Sequence, residues 1–210
     1  MDYLVDHIDR EKSAFFNKKL GYKVYKRPAS KIKLKSITIH STANKNSNAV
    51  NERRWLENPS NLRWASYHIV VDDKRCIEVI PLDEKSLHCG NRYGNSTSIG
   101  IEICESGNRE KTIENAINII LDLIYTYNLD VEQIYMHRDW DKSQTCPRII
   151  NDKEFLELKK EIKARYLNIP SKWAKIAWDW AVKQKICDGQ NPKLYATREE
   201  VIVMISRLNE

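Results

Sequence analysis

The stretch Ser98-Ile99-Gly100-Ile101-Glu102-Ile103 most constrains the fold, because isoleucines alternate strictly with small or charged residues. Strict alternation predicts a strand with one face in an apolar core. A carboxylate in the middle of such a strand is unfavourable to bury in an apolar layer, so we expect Glu102 to face a groove. The strand thus predicts a sheet with an apolar face and a polar site on the other face.

Further elements follow from the same kind of pattern. A strand is predicted at 35–40, where Ile37 and Ile39 face one side and His40 ends the strand on the other. A hairpin is predicted from 67–71 to 75–80 around the turn at 72–74, and a short strand at 134–137. Helices are predicted at 48–56, at 112–127 and after Asp152, which is expected to cap its helix. Residues 1–34 show mixed polar segments without a long hydrophobic period, and a turn is predicted at 27–30.

The charge is unevenly distributed. The net charge is +6, and residues 1–36 alone contain ten lysines and arginines against four acids. A basic patch attracts polyanions, so nucleic acid, acidic lipid headgroups and anionic cell-wall polymers are all candidate partners. A solvated basic face without a partner is the alternative. Because the sequence contains no nucleic-acid-binding motif, we expect no nucleic-acid partner.

The cysteine spacing, the length of apolar runs and the N-terminal sequence together indicate where the protein folds. Five cysteines without paired spacing do not predict a disulfide framework. No apolar run approaches the ~20 residues of a membrane span, so membrane insertion is not expected. The first residues lack the basic-then-apolar pattern of a secretory signal, which predicts synthesis and folding in the cytoplasm.

The character of the chain changes at 168–171, which predicts a domain of residues 1–167 followed by a small helical module of residues 168–210. Trp173, Ile176 and Trp180 recur at helical spacing, and Thr197 with Glu200 forms a predicted capping box. Tryptophans at this spacing are expected in a core, and stacking on sugar rings is the alternative. A unit of about 40 residues is near the lower size limit for independent stability, so it is expected to dock on the first domain, dimerise, or both.

Three residues could form a metal site. His40 ends one predicted strand, His137 ends another, and Cys146 lies nine residues further along a polar loop. Two histidines and one cysteine with an open fourth position are typical of a catalytic zinc site. Glu102 would then be a candidate general base. The alternatives are an ordinary hydrogen bond for His40 and a cross-strand salt bridge for Glu102.

From about Leu34 to Ile150 the sequence resembles the type-2 N-acetylmuramoyl-L-alanine amidases, the zinc amidases related to peptidoglycan recognition proteins. Five stretches carry the resemblance, in the family's order. They are 37–42, 66–72, 87–90, 98–103, and 137–140 with 146–147. The resemblance implies an α/β fold with a central mixed sheet flanked by helices, and a zinc ion in a surface groove.

The resemblance also implies residue roles. His40, His137 and Cys146 match the Zn²⁺ ligands, and Glu102 matches the carboxylate that activates water. Substrate-binding roles are implied as well. Tyr67 and His68 match groove residues near the metal, and His88 matches a histidine that lines the substrate cleft. The implied reaction is hydrolysis of the amide between N-acetylmuramic acid and the L-alanine of the stem peptide.

One position departs from the family pattern. Many members place a lysine two residues before the cysteine ligand, where it could stabilise the oxyanion. Here that residue is Gln144, and the nearest lysine is Lys142. Gln144 is therefore expected to contact substrate without supplying charge. The alternatives are that zinc mainly stabilises the oxyanion, that Lys142 reaches in from a shifted loop, or that His68 or Tyr67 helps.

Two wider readings follow from the resemblance. The missing secretory signal and the small appended module look like a phage-type endolysin, whose substrate is bacterial peptidoglycan. The appended module resembles a single S-layer-homology-like unit, which implies attachment to cell walls. The alternative function is a recognition module that binds muropeptide without cleaving it, although Cys146 favours the enzyme because non-catalytic relatives often lack that ligand.

Overall fold

The computed structural model describes residues 1–209. By contacts between residues the chain forms two compact units, Met1–Leu156 and a second unit from Glu157 onward. No helix among the described residues has the length and apolar character required to cross a bilayer.

The first unit is built on a six-stranded mixed sheet with the order β1-β6-β5-β7-β4-β8. All neighbouring pairs are parallel except the hairpin of β5 and β6. The strands are β1 (Asp2–Val5), β4 (Ser36–Ser41), β5 (Ile69–Val71), β6 (Arg75–Glu78), β7 (Ser98–Ile103) and β8 (Ile134–Met136), and a separate antiparallel pair comprises β2 (Ala14–Asn17) and β3 (Tyr22–Tyr25).

Residues 1–209 contain seven α-helices. They are α1 (Ala49–Glu57), α2 (Arg92–Thr97), α3 (Arg109–Tyr127), α4 (His137–Trp140), α5 (Asp152–Leu167), α6 (Lys175–Lys183) and α7 (Arg198–Ser206), with 3₁₀ turns at Val131–Gln133 and Arg207–Asn209. Helix α1 packs against β5 and β6, and α3 packs against β5 and β7. The predicted α/β fold, a central mixed sheet flanked by helices, is confirmed.

The strand register explains the two faces of the sheet. Ile39 on β4 lies opposite Ile101 on β7, and both isoleucines are fully buried. On the other face, His40 lies opposite Glu102, and Val70 of β5 lies on the far side of Glu102. Side chains alternate along a strand. The isoleucines of β4 and β7 therefore form an apolar layer on one face of the sheet, and His40 and Glu102 lie on the other face.

A buried lysine stabilises the turn after α1. Lys26 is only 1% exposed, and its Nζ donates 2.8 Å hydrogen bonds to the carbonyl oxygens of Leu56 and Asn61. Burial lowers the pKa of Lys26 to about 8. The side chain therefore fixes a segment whose residues Leu56 and Asn61 also border the main cavity of the first unit.

Three predictions about local structure were wrong or incomplete. Residues 1–34 contain three strands of four residues each, too short and too exposed to show a period. Helix α5 is capped by Asn151, whose Oδ1 accepts from the Glu154 backbone N–H at 2.9 Å, while Asp152 is the first helical residue.

The tryptophans of the second unit are the third case. Trp173 is 90% exposed and Trp180 is 52% exposed, so the prediction that they form a core is wrong. The predicted helix nevertheless occurs as α6, and the predicted capping box of Thr197 and Glu200 is confirmed at the start of α7.

Candidate metal centre

Three parallel strands bring the predicted site residues together. His40 lies near the carboxyl end of β4, and Glu102 is its register partner on β7. Strand β8 pairs with the other edge of β4 and ends at Met136, so His137 follows directly at the start of α4. Because carboxyl ends of parallel strands meet at one sheet edge, residues separated by about a hundred positions become neighbours.

The loop after α4 returns Cys146 to this edge. The backbone N–H of Arg138 donates to the Cys146 carbonyl at 3.1 Å. The Arg138 guanidinium donates to the carbonyl oxygens of Pro147 at 3.0 Å and Ile150 at 2.9 Å. The Arg148 N–H reaches Ser41 Oγ on β4 at 3.2 Å. These hydrogen bonds thus hold Cys146 and the residues that follow it beside β4 and α4.

The donor atoms of His40, His137 and Cys146 lie within 4.8 Å of one another. Cys146 Sγ is 3.6 Å from His40 Nδ1. Tetrahedral zinc with a Zn–S bond of about 2.3 Å and a Zn–N bond of about 2.0 Å would separate sulfur and nitrogen by about 3.5 Å. The sulfur–nitrogen distance therefore fits a zinc ion shared by the two atoms.

The electrostatics of the cluster also fit a cation. Burial lowers the pKa of His40 well below its usual value and lowers that of His137, so both imidazoles are neutral as ligands must be. Burial raises the pKa of the Cys146 thiol to about 12, and an adjacent divalent cation would favour the thiolate instead. Nε2 of His137 and Oε2 of Glu102 are buried without a hydrogen-bond partner among residues 1–209.

Glu102 is placed to exchange protons beside these ligands. Burial raises its pKa to about 8, the nearby Glu52 raises it further, and the positive charge of Arg63 opposes the shift. A carboxyl group with a pKa near neutrality can act as both base and acid at physiological pH. Glu102 and the three candidate ligands all line one cavity of about 600 Å³.

Tyr67 and Gln144 also line this cavity. The Tyr67 hydroxyl donates to the Glu52 carbonyl at 3.0 Å, and the Gln144 amide donates to Asp141 Oδ2 at 3.3 Å. Lys142 is 83% exposed, pairs with Asp139 at 3.8 Å and does not line this cavity.

His68 does not border the cavity. It is fully buried, and its Nε2 donates to the Glu84 carbonyl at 2.7 Å. Its Nδ1 accepts from the Gly100 backbone N–H at 2.9 Å and lies 2.9 Å from Ser86 Oγ. Both ring nitrogens are therefore used inside the protein, and neither is available to a substrate.

His88 reaches the cavity with 7% of its surface exposed, and its contacts are mainly internal. Its Nδ1 lies 2.9 Å from His40 Nε2, and its Nε2 lies 3.2 Å from the Ser98 carbonyl oxygen. Burial lowers the pKa of His88 well below its usual value. The ring thus contacts a candidate ligand directly.

Sequence reasoning missed two arginines in the cavity wall. The Arg148 guanidinium is bound to Glu105, with Nε–Oε1 and Nε–Oε2 distances of 2.8 and 3.0 Å. The guanidinium of Arg63 has no hydrogen bond or ion pair with a residue that the structure describes. Its charge lowers the pKa of Glu102, His40 and Cys146, so it lies within electrostatic reach of the whole cluster. The segment 58–63 has no period or motif that could have indicated this.

Comparison with known proteins agrees with the geometry. The family model described as N-acetylmuramoyl-L-alanine amidase (Amidase_2) matches residues 30–149. Among curated relatives, N-acetylmuramoyl-L-alanine amidase CwlA of Bacillus subtilis (strain 168) is 35% identical over 149 residues, covering 67% of this chain and 53% of CwlA. CwlH of the same organism is 37% identical over 123 residues, covering 55% of this chain and 48% of CwlH.

Solved structures give the same result. The catalytic domain of XlyA superposes with a TM-score of 0.66 and 30% identity, covering 77% of this chain and 99% of that domain. A mutant endolysin from Bacillus subtilis gives a TM-score of 0.66 and 32% identity, covering the same fractions of the two chains. The chain spans about half the length of the curated relatives it matches. Because the family model covers more than half of the chain, this protein belongs to the N-acetylmuramoyl-L-alanine amidase family.

Proposed function

We propose that the first unit hydrolyses the amide between the lactyl group of N-acetylmuramic acid and L-alanine in peptidoglycan, with zinc held by His40, His137 and Cys146. The observation that carries the proposal is the 3.6 Å approach of Cys146 Sγ to His40 Nδ1 beside a carboxylate with a raised pKa. Zinc, when bound, supplies a Lewis acid that polarises the amide carbonyl and lowers the pKa of water.

Glu102 is the proton carrier in this proposal. Its carboxylate accepts a proton from the attacking water as the new bond to the amide carbon forms. The protonated carboxyl then donates to the leaving nitrogen as the carbon–nitrogen bond breaks. The products are a stem peptide with L-alanine at its free amino terminus and a carboxylate on the lactyl group. Because Oε2 has no hydrogen-bond partner among the described residues, it is free to take part in both transfers.

Arg63 is the candidate for stabilising the negative charge that develops on the carbonyl oxygen. Gln144 lines the cavity but is neutral, and Lys142 does not line it. His68 has no free nitrogen, and the Tyr67 hydroxyl already donates to the Glu52 carbonyl. We expect Arg63→Gln to lower kcat by on the order of 10²-fold with little change in KM, because the charge acts mainly in the transition state. A rise in KM alone would instead assign Arg63 to binding a substrate carboxylate.

The activity is tested on purified cell walls. The protein should clear a wall suspension and release new amino termini without new reducing sugars, and a chelator should abolish both effects until zinc is restored. Glu102→Gln should retain zinc and lose clearing, whereas Glu110→Gln on the exposed surface of α3 serves as the matched control. Clearing that persists after removal of the metal would contradict the zinc mechanism.

The competing function is a peptidoglycan-binding module without catalysis. Cys146 supports the enzyme instead, because this third candidate ligand lies beside His40 and His137 and its carbonyl accepts a hydrogen bond from the Arg138 backbone N–H. Binding of walls with no release of amino termini by the zinc-loaded protein would favour this alternative.

The second role proposed is that of residues 168–210 as a wall-binding or dimerising module in a phage-type lysin made in the host cytoplasm. Its exposed Trp173 and Trp180 offer faces that can stack on sugar rings. The basic residues of positions 1–36 provide a second contact for anionic wall polymers. A chain ending at Leu167 should keep hydrolysis and bind walls less. Unchanged wall binding, with a loss of dimers in solution, would assign the module to dimerisation.

A further inference from the structure

His88 lies between a candidate zinc ligand and the backbone of the sheet. Its Nδ1 is 2.9 Å from His40 Nε2, and its Nε2 is 3.2 Å from the Ser98 carbonyl oxygen at the start of β7. His88 and His40 are 7% and 2% exposed, so water has little access to compete for these contacts.

The direction of each hydrogen bond follows from the carbonyl group. A carbonyl oxygen only accepts, so Nε2 of His88 must carry the hydrogen. In a neutral imidazole the other nitrogen is then an acceptor, so Nδ1 of His88 receives a hydrogen from Nε2 of His40. His40 consequently has a bare Nδ1, and this is the atom 3.6 Å from Cys146 Sγ.

We propose that His88 is a positioning residue that sets the tautomer of His40 and so makes Nδ1 its metal-binding atom. The inference rests on the proposed zinc function. The Ser98 carbonyl sets which nitrogen of His88 carries the hydrogen, and His88 in turn sets which nitrogen of His40 carries it. Residues that hold a metal-binding histidine in this way typically contribute 10- to 100-fold to metal affinity.

The space for the His88 ring is provided by Gly100. A Cβ built at Gly100 would lie 2.7 Å from His88 Cγ and 2.8 Å from Nδ1, which is closer than real contacts allow. The Gly100 position in the alternating strand is therefore matched to the ring that lies over it.

Cys89 provides a matched control. Its Sγ also lies 3.2 Å from His88 Nδ1, and a thiol can donate only weakly to that nitrogen. Both His40 Nε2–H and the Cys89 thiol can donate to Nδ1 of His88, but only His40 is a candidate metal ligand. Removal of the thiol should therefore leave zinc binding unchanged.

The first test measures the zinc dissociation constant by competition with a chelator. His88→Leu removes the acceptor and should weaken zinc binding 10- to 100-fold. In His88→Asn the Oδ1 atom replaces Nδ1 as the acceptor, so affinity should stay within about fivefold of wild type. Cys89→Ala should match wild type, and thermal melting of the metal-free proteins checks that each variant folds.

The second test reads the tautomer directly by ¹⁵N NMR of the histidine rings in the metal-free protein. His40 should carry its hydrogen on Nε2 in wild type and His88→Asn, and should populate both tautomers in His88→Leu. Wild-type zinc affinity in folded His88→Leu, or His40 protonated on Nδ1 in wild type, would overturn the inference. Failure of the wild type to bind zinc would overturn the proposed function instead, and the NMR result would still decide the tautomer.

Discussion

Two buried histidines, His68 and His88, contact Gly100 and form networks of the same chemical design for different purposes. Each donates from Nε2 to a backbone carbonyl, and each is therefore an acceptor at Nδ1. The Nδ1 of His68 accepts from the Gly100 backbone, whereas the Nδ1 of His88 accepts from His40. On the proposed zinc function, the partner at Nδ1 determines whether the histidine stabilises the sheet or orients a candidate metal ligand.

The difference predicts which property each substitution should change. Loss of His68 leaves backbone groups of β7 and the Glu84 loop unsatisfied, so the cost should fall on the free energy of unfolding. Without His88, His40 can adopt either tautomer, so the cost should fall on zinc affinity. The family resemblance implied a substrate-binding role for both residues. His68 is fully buried and does not border the cavity, whereas His88 borders it with 7% of its surface exposed.

The largest expected effect belongs to His68→Leu. It removes partners from the Gly100 N–H, the Ser86 hydroxyl and the Glu84 carbonyl, and each unsatisfied buried group costs about 1–3 kcal/mol. We expect the unfolding free energy of the metal-free protein, measured in urea, to fall by about 3 kcal/mol or more. Zinc affinity measured where the variant is folded should change less than about threefold.

Ser86→Ala is the milder form of the same experiment. It removes one hydrogen bond to His68 and should lower the unfolding free energy by about 1 kcal/mol. A tenfold loss of zinc affinity in folded Ser86→Ala would show that the two networks are not separate.

Gly100→Ala should disturb both networks, because the added Cβ meets the His88 ring on a residue whose backbone N–H binds His68. Overpacking of a buried site typically costs about 1–3 kcal/mol. We expect a loss of that size in unfolding free energy, together with weaker zinc binding as the His88 ring is displaced. Normal zinc affinity in this variant would indicate that the position of the His88 ring does not matter for the ligand.

Lys26 extends the comparison to a buried cation, whose Nζ, like Nε2 of His68, donates to backbone carbonyl oxygens. Its pKa of about 8 lies below the unfolded value of about 10.4, so between these values the unfolded state binds more protons. The Lys26 contribution to stability should therefore rise with pH through this window and stay constant below it.

The corresponding measurement is the unfolding free energy of wild type minus that of Lys26→Met. We expect the difference to shift toward wild type by up to about 2 kcal/mol between pH 8 and pH 10. Subtraction removes the contribution of the buried cysteines, whose raised pKa values act in the opposite direction. A difference independent of pH would contradict the lowered pKa of Lys26 in the folded protein.

The smallest expected effect is that of Cys89→Ala. The thiol lies 3.2 Å from His88 Nδ1, but the proposal gives it no part in setting the His40 tautomer. Zinc affinity should therefore stay within about twofold of wild type. The chelator competition used for His88→Leu provides the measurement. A tenfold loss would move the positioning role from the imidazole pair to the thiol.

Much of the fold was predictable where a period was long enough to read. The strands at Ser36–Ser41 and Ser98–Ile103 and the helix Arg109–Tyr127 occur where alternation and helical spacing predicted them. Strand β1 was not predictable, because four exposed residues carry no period and their partner β6 lies about seventy positions away. Pairing of that kind is set by tertiary contacts and not by the local sequence.

The position of the candidate ligands was predictable, and that of the residues around them was less so. His40, His137 and Cys146 come together as expected, because strand ends and a returning loop can be read from sequence. The internal role of His68 has a signal in hindsight. It sits beside the unbroken apolar run 69–71, where alternation is lost and both faces of the strand are buried. The contact between His88 and His40 has no such signal, because it depends on the space above Gly100.

The most direct test of this account measures two quantities on three proteins: wild type, His68→Leu and His88→Leu. The quantities are the zinc dissociation constant and the unfolding free energy of the metal-free state. We predict a crossed result, in which His88→Leu loses 10- to 100-fold in zinc affinity and His68→Leu loses mainly stability. Parallel losses of both quantities in both variants would contradict the division between a structural and a metal-orienting histidine.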